Sequence, residues 1–271
     1  MKVFCILGDE RAFRSKSPVI FSAVLKRVGI KGVYVPFKVD PDQLGQAVRS
    51  LRALNISGAN VTVPYKEKVI PHLDALSEGA TLIGAVNTVV RNGGILKGYN
   101  TNAIGFMDAL DHAGFDVAGK SALVFGAGGA AKAVVFILNW LRAESILIAA
   151  RREEKAAEIV NRIGGESKPM AALLDGPVAA HIVVNATPVS SPDESAELAA
   201  LVAGLDIPGC ELVLDLNYGR PRNLWQELAL SRNIPFMDGR HALAFQAKRS
   251  FALWTGIQVE PEEFLRAMGE A

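Results

Sequence analysis

The feature that most restricts this chain is a glycine-rich turn, Gly126-Ala127-Gly128-Gly129-Ala130-Ala131, between an apolar run, Ala122–Phe125, and a helical stretch reaching Leu141. Strand, tight turn and helix in that order open a βαβ unit, and G-x-G-x-x-A is its dinucleotide-binding form. Each small residue has its own reason. Gly126 permits the tight turn. Gly128 lets backbone N–H groups approach a pyrophosphate. Ala131 allows close packing of helix on strand. Ala127, Gly129 and Ala130 complete the loop, and the helix N-terminus adds a field that favours phosphate. A glycine-rich turn without a ligand is written in the same letters, so the flanking strand and helix carry the reading.

Cofactor choice is read at the end of the next strand, where an NAD site places Asp or Glu to bond the ribose 2′-hydroxyl. That strand is expected at Ser145–Ala150, and Arg151, Arg152 and Lys155 follow it. Guanidinium groups suit a 2′-phosphate. The expected cofactor is therefore NADP, contacted by Arg151 with help from Lys155. A solvated helix start would carry similar charges, and Glu153 and Glu154 temper the positive field.

Strands and helices also alternate ahead of this unit. Strands are expected at Met1–Gly8, Val33–Val39 and Ile56–Val63. Helices are expected at Ser17–Val28, with Ser17 as N-cap and Pro18 in the first helical position, and at Asp42–Leu54. Such alternation gives a mostly parallel sheet. Ala85–Arg91 and Ile95–Tyr99 flank Asn92-Gly93-Gly94, a hairpin signal because Asn and Gly accept positive φ. Ala103–Ala113 reads as a helix linking the two α/β units, His181–Asn185 and Glu211–Leu216 as further strands, and Ala242–Trp254 as a helix. With 271 residues, half of them hydrophobic, two domains can each have a core.

Composition narrows the function class. Lys and Arg number 29 against 28 Asp and Glu, so no global basic field recruits nucleic acid or an anionic membrane. No apolar stretch is long enough to span a bilayer, and no signal-peptide core opens the chain. Cys5, inside an apolar run, and Cys210 form no disulfide framework, and the four histidines have no metal-type spacing. The expectation is a cytoplasmic enzyme, monomeric or homodimeric, acting on a small molecule, with no metal.

Four short segments point to the substrate. They are Ser15-Lys16-Ser17-Pro18, Gly58-Ala59-Asn60-Val61-Thr62-Val63-Pro64-Tyr65-Lys66-Glu67, Gly84-Ala85-Val86-Asn87-Thr88 and Asn100-Thr101-Asn102. In order and spacing they resemble the shikimate dehydrogenase family, with its S-x-S-P, N-V-T-x-P-x-K and N-T-D signatures. The glycine-rich loop, Asn185-Ala186-Thr187 and Gln246 extend the resemblance over nearly the whole chain. It implies an α/β fold with an N-terminal substrate domain, a Rossmann NADP domain and C-terminal helices that return to the first. The expected boundaries are 1–102 with 239–271, and 103–238, with the active site in the cleft. It implies reversible, NADPH-dependent reduction of 3-dehydroshikimate to shikimate, a step of aromatic amino acid biosynthesis. Thr187 and Gly239 are then expected at the cofactor, and Tyr218 at the substrate.

The chemistry of the matching residues agrees. A carboxylate with several hydroxyls needs short polar partners: Ser15 and Ser17 for the carboxylate, Asn60, Thr62, Asn87 and Gln246 for the hydroxyls. Ketone reduction needs a proton for the developing alkoxide, and Lys66 can supply it. A surface lysine and simple helix capping by the serines are the plain alternatives.

The chain also departs from the family. Asn102 stands where the family has an Asp that pairs with the lysine, and an amide carries neither charge nor a mobile proton. Arg14, Phe21, Ser22 and Asn223 replace the usual His, His, Asn and Thr, and Asp238–Gln246 lacks the family's methionine. Two further readings follow: a paralogue acting on quinate or an aminated analogue, or a weakly active protein that binds NADP and a polyol acid.

Overall fold

A computed structural model of the protein describes residues 1–269. The chain divides into two compact units: Met1–Gly105 with the segment from Leu243 onward, and Phe106–Ala242.

The first unit contains β1 (Lys2–Gly8), α1 (Ser17–Arg27), β2 (Gly32–Lys38), α2 (Leu44–Ala53), β3 (Gly58–Val61), β4 (Ala75–Leu76), α3 (Glu78–Ile83), β5 (Thr88–Asn92) and β6 (Ile95–Tyr99). Its sheet runs β2-β1-β3-β5-β6-β4. β1 is parallel to β2 and β3; β5 is antiparallel to β3 and β6. The β5–β6 turn has Gly93 and Gly94 at φ 57° and 94°, which glycine adopts without a Cβ clash. β1 is central, and its side chains alternate between two cores, as the period of a strand requires. Phe4 and Ile6 join Phe21, Tyr34, Phe251, Trp254 and Phe264 on one face. Cys5 and Leu7 join Val48, Leu51, Tyr65 and Leu96 on the other. Burial pushes the Cys5 thiol up to about 12, so it is a packing residue.

α4 (Thr101–His112) starts in the first unit and ends in the second. The second unit continues with β7 (Ser121–Phe125), α5 (Gly129–Trp140), β8 (Ser145–Ala150), α6 (Glu153–Ile163), β9 (Glu166–Pro169), β10 (Ile182–Asn185), α7 (Ala196–Gly204), β11 (Leu212–Asp215), α8 (Leu224–Ser231) and β12 (Phe236–Met237). The sheet is all parallel, ordered β12-β11-β10-β7-β8-β9. Counting from β7, that is the Rossmann order 3-2-1-4-5-6 read from β9, and the order reverses between β7 and β10. Every residue of β7, β10 and β11 is buried, as expected for parallel strands covered on both faces. α9 (Arg240–Thr255) and α10 (Pro261–Gly269) close the described chain. No helix among the described residues is long and apolar enough to cross a membrane.

Several local expectations need correction. Ser17 does not cap α1: it is the first helical residue, after Lys16 in an αR conformation with no side-chain cap bond. The predicted helix at Asp42 begins as a 3-10 turn, Pro41–Gln43, before α2. The predicted strand at Ile56–Val63 shortens to Gly58–Val61, because pairing with β1 and β5 covers only that stretch.

Gly58 marks the tightest packing in the first unit. A Cβ there would sit 2.2 Å from Cδ1 and Nε1 of Trp254. That indole stacks on Phe4 at 5.1 Å, and its Nε1 donates to the Val89 carbonyl at 3.0 Å, so it cannot retreat freely. Gly58→Ala is expected to lower stability by about 1–3 kcal/mol, the usual scale of overpacking. Thermal unfolding of the two chains side by side checks it.

Candidate active site

In the first unit a dense polar cluster forms where β5, the start of α4 and α9 meet. Its centre is the Asn87 side chain, which is 3% exposed. Asn87 Oδ1 accepts from the backbone N–H of Thr101 at 2.6 Å and of Asn102 at 3.4 Å. Asn87 Nδ2 donates to Thr101 Oγ1 and Asn102 Oδ1, both at 2.9 Å, and to Gln246 Oε1 at 3.1 Å. Behind it, the hydroxyls of Thr88, Thr101 and Ser250 meet at 2.9–3.0 Å. Sequence reasoning quoted Thr88 and Thr101 only within motifs and missed Ser250. The available signal was its place one helical turn after Gln246, on the same face of α9.

The serine pair lies at the start of α1. Ser15 Oγ donates to Ser17 Oγ at 3.1 Å and accepts from the Ser17 N–H at 3.2 Å. Ser17 is buried and in contact with Tyr34, whose hydroxyl donates to Asn60 Oδ1 at 2.7 Å. Asn60 Nδ2 donates to the Asn87 carbonyl at 3.1 Å and to Thr88 Oγ1 at 3.1 Å. Asn60, expected to read a substrate hydroxyl, thus spends both amide ends inside the unit. Tyr34 went unnoticed in the sequence because one tyrosine in an apolar strand carries no pattern. Phe21, the family's usual histidine, stacks on Tyr34 at 4.8 Å and 3° and belongs to the core.

Thr62 and Lys66 follow β3 in a loop rather than a helix start. The loop is pinned by the Thr62 N–H to the Leu7 carbonyl (2.9 Å), and by the Val86 N–H to the Lys66 carbonyl (2.7 Å). The second bond sets Lys66 one residue from Asn87 across the loop. Its ammonium has no hydrogen bond or ion pair among the described residues. Burial alone lowers its pKa from 10.5 to about 8, because desolvation disfavours the charged form.

In the second unit, Gly126 has φ +114°, and a Cβ on it would lie 2.9 Å from the Ala186 carbonyl oxygen. Both conditions demand glycine, and the contact with Ala186, just past β10, places the loop where the strand order reverses. Gly128 precedes α5 and has open space around its Cα; Gly129 is the first residue of that helix, with Ala127 and Ala130 half-buried beside them. The residues present therefore fit a dinucleotide pyrophosphate at a helix N-terminus. Arg151 is exposed just past β8. Lys155, expected to assist it, is held by Glu158 at 2.5 Å.

Beside this loop a buried carboxylate organises three segments. Asp215 accepts from Asn185 Nδ2 (2.8 Å), the Asn217 N–H (3.0 Å) and Asn223 Nδ2 (2.7 Å). Asn185 Oδ1 accepts from the Thr187 hydroxyl at 2.7 Å, and Asn217 Nδ2 donates to the Thr187 carbonyl at 2.8 Å. Asn223, a departure from the family, also caps α8 by accepting from the Trp225 N–H at 2.9 Å. Tyr218 is half-buried in the same loop. Gly239 is buried for a packing reason: a Cβ would lie 2.2 Å from the Leu216 carbonyl oxygen. No group of three potential metal ligands exists among the described residues.

Residues 7–89 match the profile of the shikimate dehydrogenase substrate binding domain, and residues 109–237 that of shikimate / quinate 5-dehydrogenase. The shikimate dehydrogenase (NADP(+)) of Halothermothrix orenii is 39% identical over 267 residues, covering 95% of this chain and 91% of that protein. The chain belongs to the shikimate dehydrogenase family. Solved members share its fold. Shikimate dehydrogenase of Aquifex aeolicus superimposes with a TM-score of 0.87 at 31% identity, covering 99% of this chain and 97% of that one. The shikimate 5-dehydrogenase of Thermus thermophilus, solved with NADP(H) and shikimate, gives 0.85 at 33% identity, covering 100% and 99%.

The lowered pKa of Lys66 has a stability signature in this family member. Between pH about 8 and 10.5 the unfolded chain holds a proton on Lys66 that the folded chain has lost. Stability contributed by this group therefore rises with pH across that window. Lys66→Met is expected to be more stable than the parent below pH 8, with the gap closing toward pH 10.5. Urea midpoints measured on either side of that window, near neutrality and near its upper end, test it.

Proposed function

We propose that the chain is an NADP-dependent shikimate dehydrogenase that interconverts 3-dehydroshikimate and shikimate. The observation that carries this reading is the pairing of two features. One is a lysine with a lowered pKa and no partner among the described residues. The other is the cluster of Asn87, Asn102 and Gln246 beside its loop.

The roles follow from chemistry. Bound NADPH supplies the hydride. Gly126, Gly128 and the N-terminus of α5 receive the pyrophosphate, and Arg151 the 2′-phosphate. The Asp215 network fixes the Thr187 and Tyr218 loops next to that pocket. Ser15 and Ser17 receive the carboxylate, and Thr62, Asn87, Asn102 and Gln246 orient the ring oxygens. Lys66 stabilises the growing negative charge on the keto oxygen and then gives its proton to it. With an amide at 102, Lys66 is the proton carrier of this set. Lys66→Ala is expected to cut kcat by about 100-fold or more, the scale of losing a general acid, with a smaller change in substrate affinity. Assaying NADP reduction with shikimate, parent beside variant, tests the reading; near-parental kcat in the variant would remove Lys66 from it.

Asn102 favours a second reading, a protein that binds NADP and a polyol acid but turns over slowly. The pH profile separates the two. Ketone reduction needs the ammonium form, so its rate should fall as pH rises through about 8. A carboxylate at 102 would favour the charged lysine. Asn102→Asp is therefore expected to move the falling limb to higher pH and to raise kcat by about 10-fold or more if the carboxylate joins in base catalysis. An Asp variant that is no faster on shikimate or quinate, with an unmoved profile, would mean that the site serves different chemistry.

A further inference from the structure

Two amide side chains in the substrate cluster have their direction set by the backbone. The N–H groups of Thr101 and Asn102 can only donate, and both donate to Asn87 Oδ1. Asn87 Nδ2 must then face the other way, where it too can only donate. The atoms it meets on Asn102 and Gln246, at 2.9 and 3.1 Å, must be their carbonyl oxygens. Turning either amide over would set N–H against N–H at hydrogen-bonding distance from Asn87 Nδ2, a repulsive contact that the observed arrangement avoids. What remains free on Asn102 and Gln246 is the NH2 end. Neither Nδ2 of Asn102 nor Nε2 of Gln246 has a partner among the described residues. Neither is sealed from solvent, since among the described residues His241 Nδ1 is the fully enclosed side-chain atom that lacks one.

From this geometry we infer that Asn102 and Gln246 present fixed N–H donors to the substrate, so that the site prefers an oxygen that only accepts, the ketone, over the hydroxyl it becomes. The inference rests on the function proposed above and specifies which of the two substrates the free protein holds more tightly. A carboxylate at 102 could keep one oxygen on Asn87 Nδ2 and turn the second outward as an acceptor. The amide turns a donor outward instead, so one atom position changes from anionic acceptor to neutral donor. Lys66 adds further donors. A ketone oxygen satisfies this set with its two lone pairs. A hydroxyl can also accept, but its own proton finds no acceptor among these three groups, and an unpaired buried donor is costly. Selection for the ketone leaves the overall equilibrium with NADPH unchanged. It shifts the balance between the two bound states and lets the hydroxy acid leave faster.

The test is titration calorimetry with the full chain at neutral pH, without cofactor, so that no turnover occurs. 3-Dehydroshikimate is expected to bind about 10-fold or more tightly than shikimate, the scale set by one unpaired hydrogen-bonding group. Asn102→Asp should reduce that preference by about 10-fold or more, by supplying an acceptor for the hydroxyl. Asn102→Ser, whose hydroxyl donates or accepts, should fall between them. Circular dichroism confirms that each variant is folded. Equal binding of the two acids by the parent, or a preference for shikimate, overturns the donor assignment while leaving the proposed function standing. A parent preference that both variants retain also overturns it, because the preference then arises elsewhere. If neither acid binds the parent, the proposed function falls, and this inference with it.

Discussion

The Thr101 N–H donates to Asn87 Oδ1 at 2.6 Å, and most of the polar architecture of the first unit depends on that bond. It joins the entry of β5 to the first turn of α4, whose leading N–H groups have no partner within the helix. Because the donor is backbone, its direction cannot be reversed. Through Asn87 the direction passes to Gln246 on α9, and so to a segment 159 residues further along the chain. The hydroxyls of Thr88, Thr101 and Ser250 behind it differ in kind. They are rotors that can exchange donor and acceptor roles without moving a heavy atom. The cluster thus combines amides of fixed polarity facing outward with hydroxyls of adjustable polarity behind them. Buried polar groups of this kind are tolerated only when each is paired, and the hydroxyl layer supplies that pairing.

The second unit solves the same problem with a charge. Asp215 is buried, and desolvation alone would favour its neutral form. The donors from Asn185, Asn217 and Asn223 oppose that tendency and, in exchange, are held in place by it. The result is that the ends of β10 and β11, where strand pairing reaches Asn185 and Asp215, are tied to one another by side chains as well as by the ladder. Asn223 serves two elements at once. Its amide caps α8 at one end and reaches Asp215 at the other.

What the sequence disclosed and what it hid follow from the range of the forces involved. The glycine-rich turn was legible because Gly126 answers a local demand, a positive φ and a close backbone approach, that no other residue meets. The same is true of the Gly93-Gly94 hairpin and of the buried strands of the Rossmann sheet. The short strands β4, β9 and β12 were not legible: β4 and β12 have two residues each, and β9 is a polar, largely exposed stretch with no apolar run to mark it. The close approach of Gly239 to the Leu216 carbonyl was not legible either, since that packing demand arises only in the folded unit. Asn60 was read as facing the substrate, but Tyr34, 26 residues away, claims its oxygen. Tyr34 and Ser250 were missed for the same reason: their value lies in partners brought close by tertiary structure, to which a linear pattern is blind.

Lys66 and Asn102 are best understood together. A lysine beside a carboxylate is pulled in two directions, since burial disfavours its charge and the anion restores it. Here burial acts without the anion, and the pKa settles at about 8. The amide at 102 therefore does more than remove a charge. With its oxygen engaged by Asn87, it offers an N–H on the side where the family's Asp could offer an acceptor. An amide carries no charge to oppose burial, so burial alone sets the lysine's preference for its neutral form. A lysine with a pKa of about 8 populates its charged and its neutral form on either side of that pH, and its surroundings, rather than a charged neighbour, set its affinity for the proton.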